Sequence, residues 1–69
     1  MISRSDLRMI ISAAKKGWMP DRDKRQLYFA QVRQALNSAD ANERLTETAL
    51  AAQNAMQDAG WDLDLAAVQ

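Results

Sequence analysis

Apolar residues recur at spacings of three and four along three stretches of the chain, which is the pattern of helices that bury one face. The first two stripes are Leu7, Ile10, Ile11 and Ala14, and then Tyr28, Phe29, Val32, Ala35 and Leu36. The third stripe is mostly alanine: Ala41, Leu45, Ala49, Ala52, Met56 and Ala59. These patterns predict helices at about 4–16, 22–37 and 41–59. The expected fold is therefore an all-α, compact three-helix domain spanning 1–69, with a short C-terminal tail.

Polar residues that can cap a helix precede each stripe. Ser3 and Asp6 have the spacing of a capping box, and Asp21 is a favourable N-cap for the second helix. Asp40 and Glu43 have the same box spacing and predict the start of the third helix. Because the third stripe is narrow and alanine-rich, we expect another helix backbone to approach it closely.

Two glycine–tryptophan pairs, Gly17-Trp18 and Gly60-Trp61, follow the first and third stripes. Glycine adopts the left-handed conformation that ends many helices, and an apolar residue after it often packs back on the last turn. We therefore expect both tryptophans to close the core, with stacking on a nucleobase as the alternative. Pro20 separates the first two helices.

The alternation of Asp and Leu after Asp62 suggests a strand, but a lone strand has no partner to pair with. A short helical turn capped by Asp62, or an extended segment laid over the core, is expected instead.

The composition excludes several classes of function. The chain has no cysteine and no histidine, so it has no disulfide, no ordinary zinc site and no Ser–His or Cys–His dyad. No carboxylate is expected in a cleft that would raise its pKa, so no enzymatic activity, catalytic residue, cofactor, metal or small-molecule substrate is predicted. No apolar run approaches the roughly 20 residues that span a bilayer, and the first residues do not resemble a signal peptide. A cytoplasmic protein without membrane contact is expected.

The net charge of zero conceals an asymmetry between the two halves of the chain. Residues 1–33 carry eight basic and three acidic side chains, whereas residues 34–69 carry one basic and six acidic ones. The two halves could pair with each other, within one fold or between subunits, or the basic half could contact DNA, for instance through a helix-turn-helix. The candidate nucleic-acid-binding residues are Arg4, Arg8, Lys15, Lys16, Arg22, Lys24 and Arg25. The third helix is not expected to read DNA, because its exposed face is acidic.

Four residues do not fit a simple bundle. Met9, Leu27 and Leu50 are expected to point away from the core, either as incidental exposure or as a surface for self-association or for another protein. Arg25 lies on an apolar stripe. Its stem is expected along the core edge, with the guanidinium in water or paired to an acid such as Asp21; the alternative is contact with a phosphate or a partner carboxylate.

Several features follow one another along the chain. They are the run Ser5-Asp6-Leu7-Arg8-Met9-Ile10, then Ala14, Gly17-Trp18 and a proline, then a helix with Arg25 and Leu36, and last an alanine-rich third helix. This order, over residues 4–57, resembles small helical proteins of phages and prophage regions that are often encountered beside terminase genes. Those proteins commonly carry further prolines before the second helix and an arginine in the third, where this chain has only Pro20 and has Thr48 in mid-helix.

The resemblance implies an oligomeric DNA-packaging or DNA-binding accessory protein akin to a terminase small subunit, located in the host cytoplasm if it is phage-encoded. The alternative is a protein–protein interaction module, an inhibitor or assembly adaptor, that uses Met9, Leu27, Leu50 or the acidic tail and does not bind nucleic acid.

Overall fold

A computed structural model describes residues 2–38 and 42–62, which form three helices and no strand. Helix α1 spans Arg4–Lys15, α2 spans Arg22–Leu36 and α3 spans Glu43–Asp58. The all-α, three-helix prediction is confirmed, with helix ends within one or two residues of those expected. The predictions for residues 39–41 and 63–69 lie outside the described residues.

The caps predicted for the first two helices are present. The Asp6 amide donates to the Ser3 hydroxyl oxygen, and the Ser3 amide donates to an Asp6 carboxylate oxygen, 3.2 Å in each case. Asp21 accepts from the Lys24 amide at 2.9 Å. The cap predicted for α3 is wrong: the helix begins at Glu43, and Asn42 accepts from the Leu45 amide at 2.7 Å.

Both glycines end their helices in the predicted way. Gly17 and Gly60 have φ values of 87° and 80°, in the left-handed region. After α1, the Trp18 amide donates to the carbonyl of Ala13, and the Gly17 amide donates to that of Ala14. The same two bonds recur after α3, from Trp61 and Gly60. This pair of bonds is the Schellman motif, which satisfies carbonyls that the helix leaves without a partner.

Helix α3 packs against both other helices, whereas α1 and α2 approach each other much less closely. The side chains of Arg4 and Thr48 meet near the starts of α1 and α3, and Trp18 meets Trp61 beyond their ends, so these two helices run parallel. Ala49 and Ala52 on α3 are completely buried. Because alanine adds little bulk, both neighbouring helices can lie close to α3, as the sequence predicted.

An aromatic cluster closes the end of the bundle where α1 and α3 finish. Trp61 is fully buried, and its indole N–H donates to the Trp18 carbonyl at 3.0 Å. The Trp18 ring meets the Trp61 ring edge-on at a centroid distance of 5.9 Å and lies 6.3 Å from Tyr28. Trp18 is nevertheless 44% exposed, so only Trp61 takes the full core position expected of both tryptophans.

Candidate nucleic-acid interface

The structure places five of the seven predicted DNA-contacting cations on the surface. These exposed residues are Arg8, Lys15, Lys16, Arg22 and Lys24. Their side chains have no hydrogen bond or ion pair to any other part of the described chain. Because these side chains are exposed, an anionic partner can approach them.

The other two predicted residues, Arg4 and Arg25, have hydrogen bonds inside the bundle. The Arg4 side chain, half-buried, donates from Nε to the Thr48 hydroxyl at 3.3 Å, and that hydroxyl donates to the Arg44 carbonyl at 2.8 Å. The Arg25 guanidinium, also half-buried, donates to the Pro20 carbonyl. Arg4 therefore ties α1 to α3, and Arg25 holds the α1–α2 turn against the first turn of α2.

Four of the five exposed cations surround the connection between α1 and α2, and we call Lys15, Lys16, Arg22 and Lys24 the turn cluster. Lys15 ends α1, where the helix dipole favours a positive charge. The turn between them is fixed by the Gly17 motif, by buried Pro20 and by the Arg25 hydrogen bond. The turn cluster therefore lies at one end of the bundle, on a connection held by these contacts.

Sequence reasoning left Arg33 out of the candidate site. Arg22, Gln26 and Arg33 are spaced by four and seven residues on α2, and all three are exposed. At 100° per residue, this spacing puts them on one outer stripe of the helix, which continues from the turn cluster. The same periodicity used to find the apolar stripes would have identified this polar one.

The exposed face of α3 carries the opposite charge, as predicted. Glu43, Glu47 and Asp58 are all exposed. Two acids, Asp21 and Asp23, lie next to the turn cluster in sequence and are also exposed. The charge asymmetry of the sequence is therefore also an asymmetry of the surface, with α3 presenting acids and the α1–α2 connection presenting cations.

A groove separates α1 from α2 on the side of the bundle away from α3. Its main part, about 370 Å³, is lined from α1 and the residue before its cap by Ile2, Asp6, Met9 and Ile10, and from α2 by Tyr28, Gln31 and Gln34. A continuation of about 160 Å³ shares Met9, Ile10 and Tyr28 and reaches Ala13 and Trp18. The groove therefore extends from Ile2 to the aromatic cluster. Polar and apolar side chains both line its main part, and apolar side chains line its continuation.

Met9, Leu27 and Leu50 are all exposed as predicted, at 62%, 53% and 47%. Met9 lines the groove, and Leu27 precedes Gln31 and Gln34 by four and seven residues, so it lies along the α2 edge of the same groove. Leu50 lies among Glu43, Glu47 and Asn54 on the outer face of α3. The three residues therefore do not form one surface.

Within residues 2–38 and 42–62, no group of three acidic side chains is placed to hold a metal ion. None of the three described helices has the length and apolar character needed to cross a bilayer. Comparisons of the chain with protein-family models, with curated proteins and with solved structures gave no match.

Proposed function

We propose that this domain is a non-enzymatic accessory protein of phage type that self-associates and contacts DNA through its basic N-terminal half. The observation that supports this proposal is the turn cluster: four exposed cations at one end of the bundle, whose side chains have no partner among residues 2–38 and 42–62. Arg8 and the Arg22–Arg33 stripe extend the positive surface along α1 and α2. Contacts of this kind recognise phosphates, so binding without strong sequence preference is expected.

The proposal is tested by titrating labelled duplex DNA at two salt concentrations. Replacing all four residues of the turn cluster by alanine should weaken binding to every sequence alike. The slope of log affinity against log salt is negative, and each lost phosphate contact should reduce its magnitude by about 0.9. The four changes together should therefore reduce the magnitude by about 3 to 4. A variant that binds DNA as tightly as the parent, with the same salt dependence, would contradict the proposal.

A matched pair of charge reversals separates local contacts from net charge. Arg22→Glu and Arg44→Glu change the total charge equally, and both arginines are exposed, but only Arg22 belongs to the turn cluster. Arg22→Glu should reduce DNA affinity severalfold more than Arg44→Glu. Equal losses would show that binding follows total charge and that the turn cluster is not the interface.

The alternative function is a protein–protein interaction module that does not bind nucleic acid. It is supported by the exposed apolar side chains, of which Leu50 stands alone on the outer face of α3. Native mass spectrometry at several protein concentrations tests self-association, and Leu50→Glu should shift any oligomer towards monomer if that face is the contact. If the protein stays monomeric and does not bind DNA, the result would favour the interaction module over the DNA-contacting function.

A further inference from the structure

Trp18 is a large aromatic side chain that the bundle leaves partly open to solvent. Its ring is 44% exposed and the neighbouring Met19 is 49% exposed, whereas Pro20, which follows them, is buried. Trp61, at the equivalent position after α3, is fully buried. Because burying a tryptophan ring is strongly favourable, the open part of Trp18 is surface that a ligand gains affinity by covering.

Contacts inside the bundle hold this residue in place. The Trp18 amide donates to the Ala13 carbonyl, and the Trp18 carbonyl accepts the indole N–H of Trp61, so both of its backbone groups are bonded. Its ring lies 5.9 Å from that of Trp61 and 6.3 Å from that of Tyr28. A side chain held in this way loses little further freedom when a ligand packs on it.

The turn cluster flanks Trp18 in the chain. Lys16 precedes the tryptophan by two residues, and Arg22 follows it by four. Four cations against two acids, Asp21 and Asp23, leave residues 15–24 with a net charge of +2. Cations beside an exposed aromatic ring are the combination that binds single-stranded nucleic acids, because the cations contact the phosphates and a base stacks on the ring.

The aromatic ring favours a single strand over a duplex. Within a duplex the faces of the bases are covered by their stacked neighbours, whereas an unpaired base offers its face to an aromatic side chain. Contacts from cations to phosphates are available in both forms. The Trp18 ring also lines the apolar continuation of the groove, together with Ala13 and Tyr28, so apolar side chains adjoin a base that stacks there.

From these observations we infer that the DNA contacted by this domain is single-stranded, with an unpaired base stacked on Trp18 and adjacent phosphates against the turn cluster. The inference rests on the DNA contact proposed above, and it adds the form of the DNA and the residue that recognises that form. Every base has a face that can stack, so no strong base preference is expected.

Three DNA probes, each about 12 nucleotides long, separate stacking from phosphate contact. They are oligothymidylate, an abasic strand with the same phosphates, and a duplex. The parent protein should bind oligothymidylate at least about fivefold more tightly than the abasic strand, because one stacked base contributes that factor or more. Equal affinities for these two strands would overturn the inference and leave the phosphate contact intact. Binding to none of the three probes would contradict the proposed function itself.

Trp18→Leu keeps an apolar side chain but removes the stacking surface. It should weaken binding of oligothymidylate at least about fivefold and leave the salt dependence unchanged, because stacking involves no charge. Trp18→Phe should keep most of the affinity, and Met19→Ala, which changes the exposed neighbour, is the matched control and should keep nearly all of it. Circular dichroism checks that the helices remain in each variant.

The same variant on the other two probes shows whether the effect belongs to an unpaired base. Trp18→Leu should leave binding of the abasic strand and of the duplex unchanged. An equal loss on the abasic strand would overturn the inference, because it would show that Trp18 acts only by shaping the turn. An equal loss on the duplex would also overturn it and would indicate insertion between paired bases.

Tryptophan fluorescence gives a further measurement, which needs no change to the parent chain. The chain has two tryptophans, and only Trp18 is exposed. Oligothymidylate should quench the emission of the parent protein, and the abasic strand should not. In Trp18→Phe, where only Trp61 emits, oligothymidylate should not quench it. Binding of oligothymidylate without quenching in the parent, or equal quenching in Trp18→Phe, would overturn the inference.

Discussion

Gly17 shows how one residue sets the end of a helix. Its φ of +87° is unfavourable for side chains with a Cβ, yet a Cβ built there meets no heavy atom within 4 Å. Gly17→Ala should therefore lower the free energy of unfolding by about 1 kcal/mol through backbone strain alone. Gly17→Asn should cost less, since asparagine tolerates this region better. Urea denaturation measures both, and a neutral alanine variant would contradict the assignment.

The capping residue Asp6 makes the stability of the fold depend on pH. Hydrogen bonds from the backbone N–H and the hydroxyl of Ser3 hold the pKa of the Asp6 carboxyl below its usual value of 3.8. A carboxyl whose pKa is lower in the folded state stabilises the fold above its unfolded pKa, and this stabilisation is lost as pH falls through the folded pKa.

The midpoint of thermal unfolding should therefore fall as the pH is lowered through 3.8 and below. Asp6→Asn should reduce that dependence on pH. Glu47→Gln, which removes an equal charge from the exposed face of α3, is the control. Its unfolding midpoint should depend on pH more strongly than that of Asp6→Asn. The same pH dependence in both variants would exclude a particular contribution from Asp6.

At the scale of the element, the start of α3 tests which side chain acts as the cap. Asn42→Ala removes the acceptor of the Leu45 amide and should lower the free energy of unfolding by about 1 kcal/mol. Asp40→Ala is the control and should cost clearly less, because α3 begins after Asn42. Chemical denaturation compares the two; a larger loss for Asp40→Ala would restore the cap predicted from the sequence.

Neighbouring alanines on α3 give a matched test of close packing. Ala52 is fully buried between helices, whereas Ala51 is exposed. Ala52→Leu overfills the interface and should lower the free energy of unfolding by about 1 to 3 kcal/mol. Ala51→Leu should change it by less than about 0.5 kcal/mol, since leucine is also a good helix former. Equal effects would show that α3 does not pack through Ala52.

The elements could be predicted because their signals are local. The stripes, the Ser3–Asp6 box and the two Gly-Trp ends each depend on residues a few positions apart. The α3 cap was missed because Asp40 and Asn42 are both good cap residues, and spacing alone favoured the first. The Arg4–Thr48 bond joins residues 44 positions apart, and no local pattern contains it. The groove was also missed, since it depends on how far α1 lies from α2.

At the scale of the whole molecule, the two tryptophans contribute unequally to the free energy of unfolding. Trp61→Phe leaves a cavity in the core and removes the donor to the Trp18 carbonyl, so it should lower the free energy of unfolding by about 2 kcal/mol. Trp18→Phe should cost about half as much or less, because that ring is partly exposed and its carbonyl remains. Denaturation followed by circular dichroism measures both. The reverse order would contradict the burial described for the cluster.

The candidate DNA interface was predictable only in part. Charge counts placed the cations in the first half of the chain, and helical periodicity placed most of them on the surface. That Arg4 and Arg25 are bonded inside the bundle depends on where Thr48 and the Pro20 carbonyl lie in three dimensions.

The parallel course of α1 and α3 determines how the molecule would respond to mechanical force. Residues near the start of α1 and near Trp61 lie at opposite ends of these two helices. Tension applied between those points pulls the helices along their common axis in opposite directions, so their side-chain contacts are sheared together and are not peeled apart one after another. In a single-molecule pulling experiment, the bundle should therefore yield in one abrupt step.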